Sequence, residues 1–178
     1  MKVLAFAASS SKQSINKQLV THASKLISGA EVEILDINDF EMPLYSMDRE
    51  AQLDAPLAQA KAFYEKIGVA DALLISYAEH NASYTAAYKN LFDWTSRIDM
   101  KVFQGKPMVM LATSPGPGGA RNVLATATTS APYFGGEVKA ELSIPRFYDV
   151  FDTEKNVFKD PDTAAQLQQA IDTLNAER

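Results

Sequence analysis

A chain of 178 residues with a net charge of −5, an isoelectric point near 5.0 and 47% hydrophobic residues has the make-up of one ordinary globular domain, expected to span residues 1–178. The acidic balance argues against a nucleic-acid surface, the absence of cysteine excludes thiol catalysis, disulfides and thiolate metal sites, and His22 and His80 are too isolated for a metal centre. No apolar run approaches membrane-spanning length and no secretory segment precedes the first strand pattern, so a cytoplasmic protein outside the membrane is expected.

Residues 2–8 (KVLAFAA) have the length and composition of a strand buried on both faces, as in a parallel sheet. Ser9, Ser10, Ser11, Lys12, Gln13 and Ser14 follow, and helical spacing then runs through Ile15, Leu19, Ala23 and Leu26 towards a stop at Gly29. The first amides of a helix lack intrahelical partners and lie at the positive end of its dipole. A hydroxyl-rich strand–helix junction therefore suits a phosphate or another anion. The alternative is that Ser11 or Ser14 simply caps the helix.

Residues 31–37 alternate and read as a second strand nearer the sheet edge. A loop rich in large apolar groups, 40–47, comes next, and residues 54–57, with Pro56 in the first turn, start a second helix. Residues 71–77 (DALLISY) form a third strand. The loop 78–83 leads to a helix reaching about Met100, with Ser83 as its expected cap. Residues 106–112 form a fourth strand, followed by the loop 113–119, whose glycines permit close backbone approach. A helix over 121–134 ends at Gly135 and Gly136, a fifth strand occupies 138–144, and Asp160 caps a last helix carrying Leu167, Ile171 and Leu174.

Strands alternating with helices predict an α/β fold, a parallel sheet wrapped on both sides. The loops with unusual chemistry follow strands one, three and four, so all three belong to the carboxyl edge of the sheet, where open α/β folds bind ligands. No G-x-G-x-x-G turn follows the first strand, and there is no P-loop or G-x-S-x-G elbow. That disfavours a Rossmann dinucleotide site, a P-loop NTPase and an α/β-hydrolase.

Four stretches, in order and spanning nearly the whole chain, carry a family resemblance. Residues 8–16 (ASSSKQSIN) look like the phosphate loop G-S-x-R-x-x-S-x-N. Residues 42–46 (MPLYS) match a Leu-Pro-Leu-Tyr-type segment. Residues 79–94 (EHNASYTAAYKNLFDW) resemble P-E-Y-N-x-S followed by L-K-N-x-x-D-W, and residues 114–119 (SPGPGG) resemble a third, glycine-rich loop. The chain resembles the NAD(P)H-dependent FMN reductases, a flavodoxin-like group that includes chromate, quinone and azo-dye reductases.

The resemblance implies a flavodoxin-like three-layer sandwich with a five-stranded parallel sheet. It implies FMN as cofactor, NAD(P)H as electron donor, a small-molecule electron acceptor and a homodimer or homotetramer. Carried over by position, Ser9, Ser11, Ser14, Ile15 and Asn16 belong to the cofactor loop, with Ser9, Ser14 and Asn16 on the phosphate. Glu79, His80, Asn81 and Ala82 line the isoalloxazine ring, mainly through backbone, and Ser114 and Gly116 flank it from the opposite loop. Lys89, Asn90, Asp93 and Trp94 are structural by the same analogy, and the segment 40–47 walls the acceptor pocket. The family arginine falls on Ser11, and Lys12 stands beside it. No catalytic side chain is implied, because the flavin carries the chemistry. Two rival readings are a flavodoxin-like electron carrier and a flavin-free ligand-binding module.

Overall fold

A computed structural model describes residues 1–176. Five strands make one parallel sheet: β1 (Lys2–Ala8), β2 (Glu31–Leu35), β3 (Ala72–Tyr77), β6 (Lys106–Thr113) and β7 (Gly136–Ile144), in the order β2-β1-β3-β6-β7. Two short antiparallel hairpins, β4 (Glu79–His80) with β5 (Ser83–Tyr84) and β8 (Phe151–Asp152) with β9 (Val157–Phe158), hang on this frame. The helices are α1 (Ile15–Ser24), α2 (Met47–Glu50), α3 (Ala58–Val69), α4 (Ala86–Thr95), α5 (Arg121–Ser130), α6 (Phe147–Val150) and α7 (Pro161–Asn175). The strand order is the doubly wound, flavodoxin-like one expected from the resemblance, with its switch point between β1 and β3.

The core is split by the sheet into two apolar layers, as strand alternation requires. Leu4, Phe6 and Ala8 of β1, with Leu73, Ile75 and Tyr77 of β3, face the layer under α3, α4 and α5. Val3, Ala5 and Ala7, with Ala72 and Leu74, face the layer under α1 and α7. Edge strand β2 is largely exposed, which explains its alternating pattern.

The structure revises several boundaries. Helix α4 is capped by Thr85, not Ser83, which pairs instead within the β4–β5 hairpin, and the helix stops at Thr95 rather than near Met100. Helix α3 begins at Ala58, since a residue just before proline disfavours helical backbone and keeps Ala55 out. Helix α1 ends at Ser24, and Gly29 (φ 56°) makes the later turn into β2. The segment expected as one helix over 121–134 is α5 followed by a 3-10 turn, Ala131–Phe134, broken where Pro132 removes a donor. Gly135, at φ 77°, ends it as anticipated, and the Asp160 carboxylate accepts from Thr163 N (2.9 Å) at the start of α7.

Candidate functional site

The loop between β1 and α1 holds little of its own backbone. Ser11 N donates to Ser9 Oγ (3.3 Å) and Ser14 N to Ser11 O (3.2 Å). Ser14 is the N-cap residue, but its hydroxyl makes no capping bond. Among the described residues, the amides of Lys12, Gln13, Ile15 and Asn16 have no partner. Simple capping is therefore not what these serines do. Ser9, Ser14 and Asn16 are buried at the loop's base, and Ser11 and Lys12 are exposed at its crown. The nearby Lys17 ammonium is engaged by Asp36 (2.6 Å), and that bond is the main cause holding the Asp36 carboxyl below its usual range.

The Asn16 side chain has another task than the expected grip on phosphate. Its Oδ1 accepts from Ser76 Oγ (2.8 Å) and Thr113 N (3.1 Å), and its Nδ2 donates to Thr113 O (3.1 Å). It ties the start of α1 to the ends of β3 and β6, and what Asn16 leaves free toward the loop is its backbone N–H. Ser76 and Thr113 are fully buried partners that sequence analysis passed over. The signal for Ser76 was a lone hydroxyl inside an otherwise apolar strand.

After β3 comes the β4–β5 hairpin. Its two-residue turn, Asn81 (φ 51°) and Ala82 (φ 62°), has positive φ at both positions, the geometry that matches strand twist in tight hairpins. For Ala82 that backbone is strained, and such strain persists where surrounding structure enforces it. Glu79 Oε2 accepts from Val123 N (2.8 Å), so the carboxylate caps α5 from outside that helix. Tyr84 hydroxyl meets Ser130 Oγ (3.4 Å) at the other end of α5. Thr85 Oγ1 accepts from Tyr88 N (3.2 Å) and donates to Ala8 O (3.0 Å), fastening the hairpin's exit to the end of β1. His80, Asn81 and Ala82 are left exposed at the tip.

The third loop, 114–119, is bound to the end of β7 and to the residues that follow it. Arg146 N donates to Gly116 O (2.9 Å), Phe147 N to Ser114 O (3.1 Å) and Ser143 Oγ to Gly119 O (2.8 Å). Gly119 (φ 61°) cannot carry a side chain, because a Cβ would fall 2.4 Å from Ser143 Oγ. A Cβ on Gly116 would meet nothing within 4 Å, so that glycine faces open space. The Ser114 hydroxyl turns back onto Gly116 O (3.2 Å).

Segment 42–46 is pinned to α4. Asn90 accepts from Tyr45 N (2.8 Å) and donates to Met42 O (3.1 Å), and Trp94 Nε1 donates to Pro43 O (2.7 Å). The structural reading of Asn90 and Trp94 agrees with these contacts, while Lys89 and Asp93 form a surface ion pair (2.6 Å). A cavity of about 420 Å³ lies away from the loop edge, between α4 and α5, walled by Tyr77, Tyr84, Tyr88, Phe92 and Phe134. Burial pushes the Tyr88 hydroxyl well above its usual range, so it stays a neutral donor. Among the described residues, no cluster of acidic, histidine or cysteine side chains forms a metal site, and no helix is long and apolar enough to cross a membrane.

A family model described as NADPH-dependent FMN reductase matches residues 1–149. The chain belongs to that family. It is 38% identical over 117 residues to an NAD(P)H-dependent FMN reductase of Pseudomonas aeruginosa, covering 65% of this chain and 61% of the relative. It is 35% identical over 117 residues to a 2-hydroxy-1,4-benzoquinone reductase of a Burkholderia species, covering 65% and 62%. The aligned part thus spans about three-fifths of these relatives' length. The solved structure of a flavoenzyme NAD(P)H:(acceptor) oxidoreductase from Paracoccus denitrificans superposes with a TM-score of 0.79 at 30% identity, covering 96% of this chain and 93% of that one.

The donor set of this FMN reductase family member suits FMN. The first loop offers unpartnered amides, the Ser14 hydroxyl and a helix N-terminus, the chemistry that receives a phosphate dianion. The hairpin tip and Gly116 leave backbone and open space where a flat ring needs both. A guanidinium at position 11 is missing from this set, leaving Lys12 as the cation on the loop.

Proposed function

We propose that this protein is an NAD(P)H-dependent FMN oxidoreductase that passes reducing equivalents to a small acceptor of the quinone class. Azo compounds, metal oxyanions and free flavin are further acceptors within the same chemistry. The observation that carries this reading is the row of unpartnered amides at Lys12, Gln13, Ile15 and Asn16, facing the same sheet edge as the exposed hairpin tip and Gly116. The quinone class is supported by the name of the Burkholderia relative.

In this reading, the amides of Ile15 and Asn16 and the Ser14 hydroxyl bind the phosphate, with Ser9 and Ser11 shaping the loop around them. Two hydrogen bonds of Asn16 to Thr113 and one to Ser76 keep the helix start in register with the strand ends. Backbone at His80, Asn81 and Ala82 lies along one edge of the ring site, and Ser114 with Gly116 along the other. Such fixed backbone donors favour negative charge on a ring between them without reorganising. The chemistry supplied by a bound flavin is hydride acceptance from a reduced nicotinamide and delivery of electrons onward. No side chain of this set is required as acid or base.

The described residues share one sheet and its two apolar layers, which supports a single flavin-binding domain over 1–178. Leu44 and Met47, 73% and 78% exposed beside the site, support a homodimer or homotetramer in which a second copy covers this segment. Reduced nicotinamides are cytoplasmic metabolites, which supports a cytoplasmic location.

The test is the visible spectrum of the purified protein with FMN, then anaerobically with NADPH, then with benzoquinone. Bleaching by NADPH and recovery of colour with quinone are expected. Bound flavin that NADPH leaves unbleached would make the protein an electron carrier, and failure to bind flavin would reject the reading.

A further inference from the structure

We propose that Glu79 is a positioning residue: its carboxylate moors the β4–β5 hairpin to the start of α5 and thereby sets the spacing of the two loops that flank the ring site. This rests on the flavin-reductase reading above, but on a side chain for which that reading needs no role beyond the backbone.

Helix α5 has no cap of its own. Its N-cap residue is Ala120, held at φ 58° and without a side-chain donor or acceptor. An uncapped helix start leaves amides unsatisfied and a positive dipole end exposed. Glu79 satisfies one of these amides from another loop, accepting from Val123 N at 2.8 Å, with Asn122 Nδ2 at 3.5 Å alongside. Glu79 pairs across the hairpin with Tyr84, whose hydroxyl lies 3.4 Å from Ser130 Oγ near the far end of the same helix. The hairpin is therefore laid along α5, with its strong attachment at Glu79. Helix α5 in turn continues from the glycine loop, since Arg121 N donates to Gly118 O (3.2 Å) and Leu124 N to Ala120 O (3.2 Å). Through α5, this carboxylate, with the weaker Tyr84–Ser130 contact, thus links residues 79–84 to the glycine loop 114–120.

Reach and hydrogen-bond acceptance, rather than charge, define this role. Glu79→Gln retains both the length and an accepting oxygen. Glu79→Asp retains the charge but is one methylene short. Asp160→Ala, which removes the cap of α7 on the opposite face, is the control for losing a helix cap of similar geometry.

FMN affinity by fluorescence titration and thermal melting are measured for each. We expect Glu79→Asp to weaken FMN binding by about tenfold or more, Glu79→Gln to stay within a few-fold of wild type, and Asp160→Ala to melt earlier with unchanged affinity. Equal FMN affinity in wild type and Glu79→Asp, with a lower melting temperature, would make Glu79 a plain helix cap and overturn the proposal. The reverse order, Gln weak and Asp normal, would also overturn it, by placing the effect in charge. A wild-type protein that binds no FMN fails the reductase reading itself and is recognised before any variant is made.

Discussion

Two small hairpins project from this sheet, and they are held mainly by different means. The β4–β5 hairpin is fastened by directional hydrogen bonds, at Glu79, Tyr84 and Thr85, and its tip is left bare. The β8–β9 hairpin is fastened by apolar burial. Phe151 is 1% exposed, stacks on Phe147 at 4.8 Å and meets Phe158 at 4.9 Å, while the His22 ring sits edge-on to both Phe151 and Phe158. Apolar packing is roughly proportional to area and tolerant of small shifts, whereas hydrogen bonds fix position and lapse within a few tenths of an ångström. A hairpin that presents its backbone to a flavin, as proposed above, needs the second kind of anchor. The first hairpin lies inside the family-matched stretch 1–149, and the second lies beyond it.

The sharpest way to separate the two is Phe151→Ala. Truncating a buried phenylalanine costs about 3–5 kcal/mol, and a domain of this size loses roughly 2–4 °C of melting temperature per kcal/mol. FMN affinity of the folded protein should not change, and titration below the melting range checks it.

Thr85→Val should do the converse on a smaller stability scale. It removes the cap bond to Tyr88 N and the bond to Ala8 O while keeping the shape, for about 1–3 kcal/mol. FMN binding should weaken with it. A variant that melts early yet binds FMN like wild type would show that the hairpin's exit bond serves the fold alone.

Acid should loosen the apolar hairpin selectively. Burial against the phenylalanine rings lowers the His22 pKa from 6.5, with Lys25 adding to this and the bond to Asn156 O (3.1 Å) opposing it. A carbonyl only accepts, so Nδ1 is the protonated nitrogen of a neutral ring. The folded value lies below the unfolded one, so the unfolded chain binds more protons as pH falls through about 6.5, and the contribution present above that pH is lost on acidification. His22→Leu should therefore narrow the difference in melting temperature between pH 7.5 and pH 5 relative to wild type. An unchanged difference would show that His22 does not couple to folding.

The smallest effect is expected from His80→Asn. Its side chain is exposed at the β4–β5 tip, and surface substitutions of this kind stay within about 0.5 kcal/mol. FMN affinity should hold to about twofold across pH 6–8, and a larger loss would mean that the tip acts through the imidazole rather than through its backbone.

The sheet was legible because strands buried on both faces must be nearly all apolar: KVLAFAA and ALLISY admit few other assignments. The loop edge was legible for the same reason, since parallel strands put their following loops together. The β4–β5 hairpin was not, because two-residue strands carry no periodicity and its turn contains no glycine. Ser83 was the expected α4 cap, and Thr85 takes that place. What separates them is Ala8 O, which only Thr85 reaches, and that carbonyl is 77 residues away in the chain.

The division is clearest at Asn16. An amide at a helix start, after a run of serines, already marks a junction suited to an anion, because free amides and the helix dipole are local properties of any such turn. That much the sequence determined by itself, along with the parallel sheet and the edge at which its chemistry gathers. Which group of Asn16 is left free was decided only when β3 and β6 brought Ser76 and Thr113 against its side chain, from 60 and 97 residues away. Buried polar groups must find partners, and the identity of those partners is a fact of packing that no local pattern contains.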